Sequence, residues 1–237
     1  MQSPQRILVF GATGAIGQSV VEASLARGWQ VTAVARTLPS ATSSGVTPLA
    51  LDPLADAFSA GPLLVDAPYA SVCWAQGANL NDSIYNVDAS KHLEIYRANC
   101  LYILVTLQTL LQHKLLAPSS RLCIISSIWQ NLARQSKLSY CVSKSALQGL
   151  VLSASADLAA DGHLINAVLP GALETPMTRK NLSADQIGRL SSATGFNRLP
   201  ALTDLASLVC YLCSPENTGI TGQFIAADLG YSHVRTV

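Results

Sequence analysis

Short apolar runs rich in Val and Ile alternate with longer helical patterns, and this alternation limits the possible folds more than any other feature of the chain. It is typical of βαβ units, in which helices bury both faces of a parallel sheet. The predicted strands are Ile7–Phe10, Val31–Ala35, Val46–Leu51, Ser71–Trp74, Leu122–Ser126, Leu164–Leu169 and Phe224–Ala227. The sequence therefore predicts an α/β fold with a mostly parallel, seven-stranded sheet.

Three helices and one long loop are predicted between these strands. The first helix covers about Ala15–Arg27, and Gly28 stands where a helix commonly ends. The second, about Leu93–His113, and the third, about Ser139–Ala160, are apolar on more than one face, which favours cover from the sheet and from a neighbour. The polar stretch Pro176–Pro200 is too long for an ordinary connection, so we expect a substrate loop that acts as a lid.

Composition argues against several classes of protein. With 237 residues, 49% of them apolar and 12% charged, the chain is expected to form one folded domain over residues 1–237. The net charge is +1 and the Lys and Arg residues are scattered, so we expect no nucleic-acid partner. The first residues lack a signal-peptide pattern, and no apolar run approaches the roughly 18 residues of a membrane span. We therefore expect a cytoplasmic protein without a membrane partner.

The cysteines and histidines predict no metal or redox centre. Cys210 and Cys213 have the spacing of a redox or zinc motif, but they fall within the helical pattern Thr203–Cys213 and no second pair accompanies them. All six cysteines are therefore predicted to be reduced thiols that pack in apolar segments. The four histidines, predicted to be surface or hydrogen-bonded structural residues, are His92, His113, His163 and His233.

A glycine-rich turn, Gly11–Gly17, joins the first predicted strand to the first helix. In a βαβ unit such glycines allow a tight turn and a close approach to a pyrophosphate, and the helix N-terminus favours the anion. Glycines also serve ordinary tight turns. In this context they predict a dinucleotide site whose phosphate contacts are Gly11, Thr13, Gly14, Ala15, Ile16 and Gly17.

The end of the second strand indicates which dinucleotide is preferred. It reads Val34-Ala35-Arg36-Thr37 and lacks the acidic residue that binds the ribose of NAD. Arg36 can pair with the 2′-phosphate of NADP, and Thr37 can add a hydroxyl donor. The sequence therefore favours NADP(H) over NAD(H); the alternative is that Arg36 is a solvated surface residue.

Tyr140 and Lys144 lie four residues apart near the start of the third helix and therefore share one helix face. A free tyrosine has a pKa of about 10. A neighbouring ammonium lowers that pKa and makes the phenol a usable general acid or base. Ser127 ends a strand, where parallel sheets place their ligands, and its hydroxyl can bind a substrate oxygen or cap a loop.

Taken in order, these motifs resemble the classical short-chain dehydrogenase/reductase family over nearly the whole chain. The matches to its Asn-Ser-Tyr-Lys tetrad are Asn99, Ser127, Tyr140 and Lys144. Further matches are Gly77, Pro170, Gly171, Thr175 and Asp228–Gly230. The resemblance implies a doubly wound, Rossmann-type three-layer sandwich, a small-molecule substrate, and a homodimer or homotetramer formed through the helices that hold Asn99 and Tyr140.

The resemblance also implies a mechanism, the interconversion of a carbonyl and an alcohol with ketone reduction by NADPH as the favoured direction. Tyr140 would protonate the carbonyl oxygen as hydride arrives, or take the proton in the reverse reaction. Lys144 would lower the pKa of Tyr140 and bind the nicotinamide ribose. Ser127 would hold the substrate oxygen, and Asn99 would fix a water in a proton relay.

Further contacts are implied around these groups. Pro170, Gly171 and Thr175 would contact the nicotinamide end and the pyrophosphate, although Pro-Gly also makes an ordinary turn. Asp52 would meet the adenine amino group, while Pro53 lacks the N–H often used there. We expect Trp129 and Gln130, just past Ser127, to line the substrate pocket, with ordinary packing as the alternative.

Two departures from the family pattern leave other functions open. Gly11, Gly14 and Gly17 have the spacing of the extended branch of the family. This spacing suggests a second hypothesis, a sugar-nucleotide epimerase or dehydratase that holds NAD(P) tightly. Trp74-Ala75-Gln76-Gly77 replaces Asn-Asn-Ala-Gly and loses both asparagines of that turn, so we expect Gln76 and Gly77 to contact the cofactor instead. A non-catalytic protein that senses nucleotides is a third hypothesis.

Overall fold

A computed structural model describes residues 5–38, 43–175, 178–179 and 182–234. Its strands and longer helices are, in chain order, β1 (Arg6–Phe10), α1 (Ala15–Ala26), β2 (Gln30–Ala35), β3 (Val46–Ala50), β4 (Tyr69–Trp74), α2 (Ala89–Tyr96), α3 (Tyr102–Gln112), β5 (Leu116–Ile125), α4 (Leu138–Asp157), β6 (Leu164–Pro170), α5 (Ala184–Ser192), α6 (Leu202–Cys213) and β7 (Phe224–Ala227). The strands form one sheet in the order β3-β2-β1-β4-β5-β6-β7, and every neighbouring pair is parallel. The predicted seven-stranded sheet is confirmed.

Alternate residues of the strands enter two separate apolar cores. From β1, Leu8 and Phe10 join the core that also contains residues of α3 and α4. Ile7 and Val9 join the core that contains residues of α1 and α6. Because helices cover both faces, strand residues of either parity are apolar, which is why the strands read as continuous apolar runs. The predicted three-layer sandwich is therefore confirmed.

The direction in which strands are added reverses at β1, because β2 and β3 lie on one side of it and β4 to β7 on the other. In sheets of this kind the crevice for ligands opens beyond the carboxyl ends of the strands at this point. Gly11 follows β1, and Gln76 lies two residues past β4. A Cβ atom on Gly11 would be 2.5 Å from the backbone nitrogen of Gln76, so the two turns are in direct contact.

The second predicted helix, Leu93–His113, differs most from the structure, both in its start and in its continuity. It starts earlier, at Ala89, because the carboxylate of Asp88 accepts hydrogen bonds from the backbone N–H groups of Ser90 (2.9 Å) and Lys91 (3.1 Å). It is also interrupted by a π-helical turn, Arg97–Leu101, between α2 and α3. Such turns are frequent at functional sites. The periodic apolar pattern could not reveal this one, because the chain remains helical through it.

The stretch Pro176–Pro200 was predicted to be an irregular loop, which is wrong for its middle part. α5 forms there behind a capping box, in which Ser183 Oγ accepts from the N–H of Gln186 (3.2 Å) and Gln186 Oε1 accepts from the N–H of Ser183 (2.9 Å). Residues 176, 177, 180 and 181 lie outside the described residues. None of the nine residues of α5 is buried.

The cysteines form no disulfide within the described residues, and all except the partly exposed Cys141 are buried. Cys210 and Cys213 lie in α6, as predicted.

His163 is a hydrogen-bonded structural residue, since its Nδ1 accepts from the N–H of Ser120 at 3.0 Å. Across the described part of the chain, no group of three or more His, Cys, Asp or Glu side chains is arranged to hold a metal ion. No helix in the same part is long and apolar enough to cross a membrane.

Candidate active site and nucleotide cleft

The four side chains of the predicted tetrad come from three elements and meet in one cluster. Ser127 follows β5, Tyr140 and Lys144 lie in the first two turns of α4, and Asn99 lies in the π-helical turn. The hydroxyl of Ser127 lies close enough to the phenol of Tyr140 to act on its pKa. Lys144 Nζ lies 5.8 Å from the centroid of the Tyr140 ring. A Cβ atom on Gly77 would be 3.2 Å from Asn99 Oδ1 and 3.6 Å from Lys144 Nζ, which places Gly77 in the same cluster.

The ionisation of Tyr140 differs from the expectation that Lys144 would lower its pKa. Burial raises the pKa of the Tyr140 phenol, and the nearby hydroxyl of Ser127 opposes that rise. The ammonium of Lys144 donates to the backbone oxygen of Ile125 at 2.9 Å. At neutral pH the phenol is therefore protonated, which is the form that can donate a proton to a carbonyl oxygen.

Lys144 is a buried cation without a carboxylate partner among the described residues. Its side chain is 4% exposed, and burial lowers its pKa to about 8, with the nearby Cys100 acting in the opposite direction. A buried charge is stable only when other groups compensate for the lost hydration. The backbone oxygen of Ile125 supplies one such contact and leaves two ammonium protons for a ligand.

Asn99 is committed to protein contacts. Its Oδ1 accepts from the N–H of Ala78 at 2.7 Å, and its Nδ2 donates to the carbonyl of Ala78 at 3.0 Å and to Ser143 Oγ at 2.8 Å. The side chain therefore fixes the turn after β4 and ties it to α4. This contact supplies a brace for the turn in which the two asparagines of the family pattern are missing.

Trp74 and Gln76 replace residues of that pattern and differ in hydrogen bonding: the side chain of Trp74 has a partner, and that of Gln76 has none in the described part of the chain. Trp74 is fully buried, stacks on Phe10 at a centroid distance of 5.9 Å, and donates from Nε1 to Thr106 Oγ1 at 2.8 Å. The Oε1 and Nε2 atoms of Gln76 are buried and have no hydrogen-bond partner within the described ranges. An unpaired buried polar group costs about 1–3 kcal/mol, so a ligand that pairs with this amide is favoured.

The glycine turn fits a phosphate group at Gly14 in particular. A Cβ atom on Gly17 would lie 2.2 Å from the backbone oxygen of Gly11, so Gly17 is required by packing alone. Gly14 is exposed and has no such close contact, since its nearest neighbour would be 3.4 Å away. It stands at the N-terminus of α1, which has no side-chain cap. The turn thus leaves room for an anion where unpaired N–H groups gather.

The residues proposed to read the adenosine end lie at the ends of β2 and β3. Arg36, Thr37 and Asp52 are exposed. Arg36 forms no salt bridge within the described residues, while Asp52 Oδ1 accepts from the N–H of Leu54 at 3.1 Å. Burial raises the pKa of Tyr102, the charge of Asp52 raises it further, and Arg36 opposes both. Arg36 and Asp52 therefore act on the same edge of the crevice.

Pro170, Gly171 and Thr175 have internal partners. Gly171 donates to the carbonyl of Ala227 at 3.2 Å, and a Cβ atom on it would lie 2.9 Å from the Cβ of Asp228. Thr175 Oγ1 accepts from the N–H of Thr178 at 3.1 Å, as in a helix cap. Packing accounts for these residues without a ligand, so their proposed cofactor contacts remain predictions.

The two residues expected to line a substrate pocket are placed differently. The N–H of Trp129 donates to Ser127 Oγ at 3.3 Å. Gln130 turns inward, and its Oε1 accepts from Ser126 Oγ at 2.8 Å. Trp129 lines a cavity of about 10 Å³ next to Ser127, together with Ile128, Ala172, Leu190, Thr194, Leu199, Pro200, Asp228 and Tyr231. This volume holds about one water molecule, so the cavity is too small to hold a substrate as it stands.

One hydrogen-bonded group next to Tyr140 had no signal in the sequence. The carboxylate of Asp82, which is buried, accepts from the N–H of Ser139 at 3.0 Å and from its hydroxyl. His92 Nδ1 lies 2.8 Å from the same hydroxyl oxygen. Asp82 thus caps α4, which has no side-chain cap of its own, from a loop 57 residues earlier in the chain. His92, expected to be a surface or structural residue, belongs to this group.

Comparisons of sequence agree with this architecture. Residues 54–232 match a profile of the family described as enoyl-(acyl carrier protein) reductase, and residues 3–56, which include the glycine turn, match the NmrA-like family. An uncharacterised oxidoreductase of Bacillus subtilis is 24% identical over 94% of this chain and 97% of its own. A cis-4-hydroxycyclohexanecarboxylate dehydrogenase of Sinomonas cyclohexanicum is 30% identical, but over 52% of this chain and 49% of its own. A 3-oxoacyl-acyl-carrier-protein reductase of Salmonella typhimurium is 32% identical over 46% and 45%.

Comparisons of structure give the same fold. A gluconate 5-dehydrogenase from Burkholderia cenocepacia, in complex with NADP and tartrate, has a TM-score of 0.90 and 19% identity over 99% of this chain and 97% of its own. A short-chain dehydrogenase from Leptospira borgpetersenii with bound NAD+ has a TM-score of 0.86 and 18% identity over 97% and 93%. These similar structures hold either nicotinamide dinucleotide.

Proposed function

Because the chain belongs to the classical short-chain dehydrogenase/reductase family, whose members act on CH–OH and C=O groups, we propose that it reduces a carbonyl compound to an alcohol with NADPH. The observation that carries this proposal is the clustering of Tyr140 with Ser127 and with the buried ammonium of Lys144, 5.8 Å from the centroid of its ring. A protonated phenol, a second hydroxyl and a cation are the groups needed to polarise and protonate a carbonyl oxygen.

Each residue of the cluster has a part in the proposed reaction. The bound nicotinamide supplies the hydride. Tyr140 gives its proton to the carbonyl oxygen, and Ser127 holds that oxygen beside the phenol. Lys144 stabilises the phenolate that remains, because a cation near a buried anion strongly favours the charged form. Asn99 keeps the turn at Gly77 and Ala78 in place beneath them.

The proposed cofactor is NADP(H), and the surroundings of Arg36 support it. The exposed guanidinium of Arg36 has no carboxylate partner within the described residues, and no acidic side chain ends β2. Arg36 and Thr37 would hold the 2′-phosphate, and Gly14 at the start of α1 would admit the pyrophosphate. Lys144, next to Gly77, and the unpaired amide of Gln76 would offer further donors to the cofactor.

A panel of carbonyl compounds, followed by NADPH absorbance and repeated with NADH, tests this function. The panel should include 3-oxoacyl thioesters and cyclic keto acids, which correspond to the names of two relatives. We expect one NADPH to be consumed per carbonyl and a preference for NADPH that weakens in Arg36→Ala. Turnover of a nucleotide sugar without net NADPH consumption would instead support the epimerase or dehydratase hypothesis, which the glycine spacing favours. A strong preference for NADH would contradict the role of Arg36.

Exposed apolar residues support an oligomer formed through the helices that hold the cluster. Leu93, Leu104, Val142 and Leu152 of α2, α3 and α4 are 43–59% exposed. Covering such side chains in a symmetric interface is favourable. We expect a dimer or tetramer in light scattering, and a monomeric mass at micromolar concentration would contradict this proposal.

A further inference from the structure

The position of Arg134, on the ring of the cavity residue Trp129, indicates which class of carbonyl compound the protein would bind. This inference rests on the proposed function. The guanidinium carbon of Arg134 lies 5.9 Å from the centroid of the Trp129 ring. Trp129 lines the cavity, and its backbone N–H contacts the hydroxyl of Ser127. Arg134 is therefore separated from the proposed position of the carbonyl by one aromatic side chain.

Arg134 differs from two arginines later in the chain, Arg179 and Arg198. Arg179 forms a salt bridge with Glu174 at 2.7 Å, and Arg198 forms one with Asp204 at 2.8 Å. In the part of the chain that the structure describes, Arg134 has neither a salt bridge nor a hydrogen bond, and its contact is the face of the Trp129 ring. Its fork of N–H donors is therefore available to an anion.

The surroundings of Arg134 do not neutralise its charge. Lys137 follows it by three residues, and its ammonium donates to the side-chain oxygens of Asn79 (2.8 Å) and Asn81, which are neutral acceptors. Burial and repulsion by Arg134 lower the pKa of Lys137. Asp82 acts in the opposite direction, but its carboxylate is occupied by the start of α4. The carboxylate of Asp228, which lines the cavity, accepts from the N–H groups of Gly230 and Ser232. The charge of Arg134 on the Trp129 side therefore stays available to an anion.

We propose that the substrate is a keto acid whose carboxylate, at the end remote from the reacting carbonyl, binds Arg134. The apolar body of the substrate would lie against Trp129 and Tyr231, whose rings meet edge to face at a centroid distance of 6.3 Å. The planar guanidinium matches a carboxylate with two parallel hydrogen bonds. Its position on the indole ring holds the fork in place while reducing its hydration.

A matched pair of substrates that differ only in charge tests this proposal. We would compare kcat/KM for 4-oxocyclohexanecarboxylate and its methyl ester in the wild type, Arg134→Gln and Arg134→Lys. In Arg134→Gln the value for the acid should fall roughly tenfold to a hundredfold, as expected for a lost charge-assisted pair, while the value for the ester changes by less than about twofold. Arg134→Lys should keep part of the preference, because it keeps the charge without the fork. Arg27→Gln, at the distant end of α1, controls for the loss of one positive charge.

Direct binding separates this inference from the proposed function. Calorimetry with cyclohexanecarboxylate, which has no reducible carbonyl, should give a dissociation constant that weakens about tenfold or more in Arg134→Gln and is unchanged in Arg27→Gln. If neither this pair nor any other carbonyl of the panel is reduced but this binding difference is found, the proposed reaction fails and the carboxylate site stands. Equal kcat/KM values for acid and ester in the wild type, or equal binding in the wild type and Arg134→Gln, would overturn the carboxylate site.

Discussion

The glycine turn follows the carboxyl end of β1, and the segment that carries α5 follows the carboxyl end of β6, but the two are built in opposite ways. In the turn, backbone touches backbone, and a Cβ atom on Gly17 would lie 2.2 Å from the oxygen of Gly11. In α5 no residue is buried, and a Cβ atom on Gly188 would have nothing within 4 Å. The difference teaches that the proposed nucleotide site is fixed by backbone packing, whereas the proposed substrate site depends on side chains of a loosely packed helix.

A pair of glycine substitutions tests this difference. We expect it to give the largest change in the free energy of unfolding among the variants considered. Gly17→Ala places a methyl group against backbone that cannot yield, so we expect a loss of about 2–3 kcal/mol in the free energy of unfolding and at least a tenfold weaker affinity for NADPH. Gly188→Ala adds the same methyl group in open space within a helix and should stabilise the protein by about 0.5–1 kcal/mol. Chemical denaturation and nucleotide titration measure both effects. Similar losses in the two variants would contradict the contrast.

Asp82 holds the start of α4, the helix that carries Tyr140 and Lys144 of the proposed catalytic cluster. In Asp82→Ala the buried N–H and hydroxyl of Ser139 lose their acceptor, so we expect a loss of about 2 kcal/mol in the free energy of unfolding and a lower kcat. Asp82→Asn keeps an acceptor for the N–H group and should retain about half of that stability. If both variants unfold like the wild type in a denaturant titration, Asp82 does not hold the start of α4.

The buried ammonium of Lys144 predicts a smaller effect, on the pH dependence of stability. Its pKa is about 8 in the folded chain and 10.5 ordinarily, so the unfolded chain binds more protons between these values. Stability should therefore rise with pH in this window, by at most about 1.4 kcal/mol per pH unit. Lys144→Met removes the titrating group and should flatten that rise. Parallel stability curves for the wild type and the variant between about pH 7.5 and 9.5 would contradict the burial of this charge.

Regions held by backbone packing were predicted from the sequence, and contacts between distant side chains were not. The seven strands, their parallel pairing and the turn at Gly11 were readable, because apolar runs and glycines report directly on backbone packing. The tetrad was predicted from the resemblance to the family, because a Tyr and a Lys four residues apart are common on helices and Asn99 has no signal of its own. The cap of α4 by Asp82 was not, because a contact across 57 residues leaves no local pattern.

Other features were missed for particular physical reasons. α5 had a readable start at Ser183 and Gln186, but its polar sequence resembled a loop. The pKa of Tyr140 was expected to fall near Lys144, yet it rises, because burial outweighs the favourable contacts. The position of Arg134 over Trp129 depends on how the chain between Ser127 and α4 folds back, which no periodicity describes.

The substitution Tyr140→Phe tests the central claim most directly, because it removes the proposed acid and leaves the ring in place. Turnover of the best carbonyl substrate should fall by a factor of about 100 to 10,000, the usual contribution of a general acid. The dissociation constant for NADPH, measured by calorimetry, should stay within about threefold of the wild type, which shows that the nucleotide cleft is intact. Undiminished turnover in Tyr140→Phe would contradict the account.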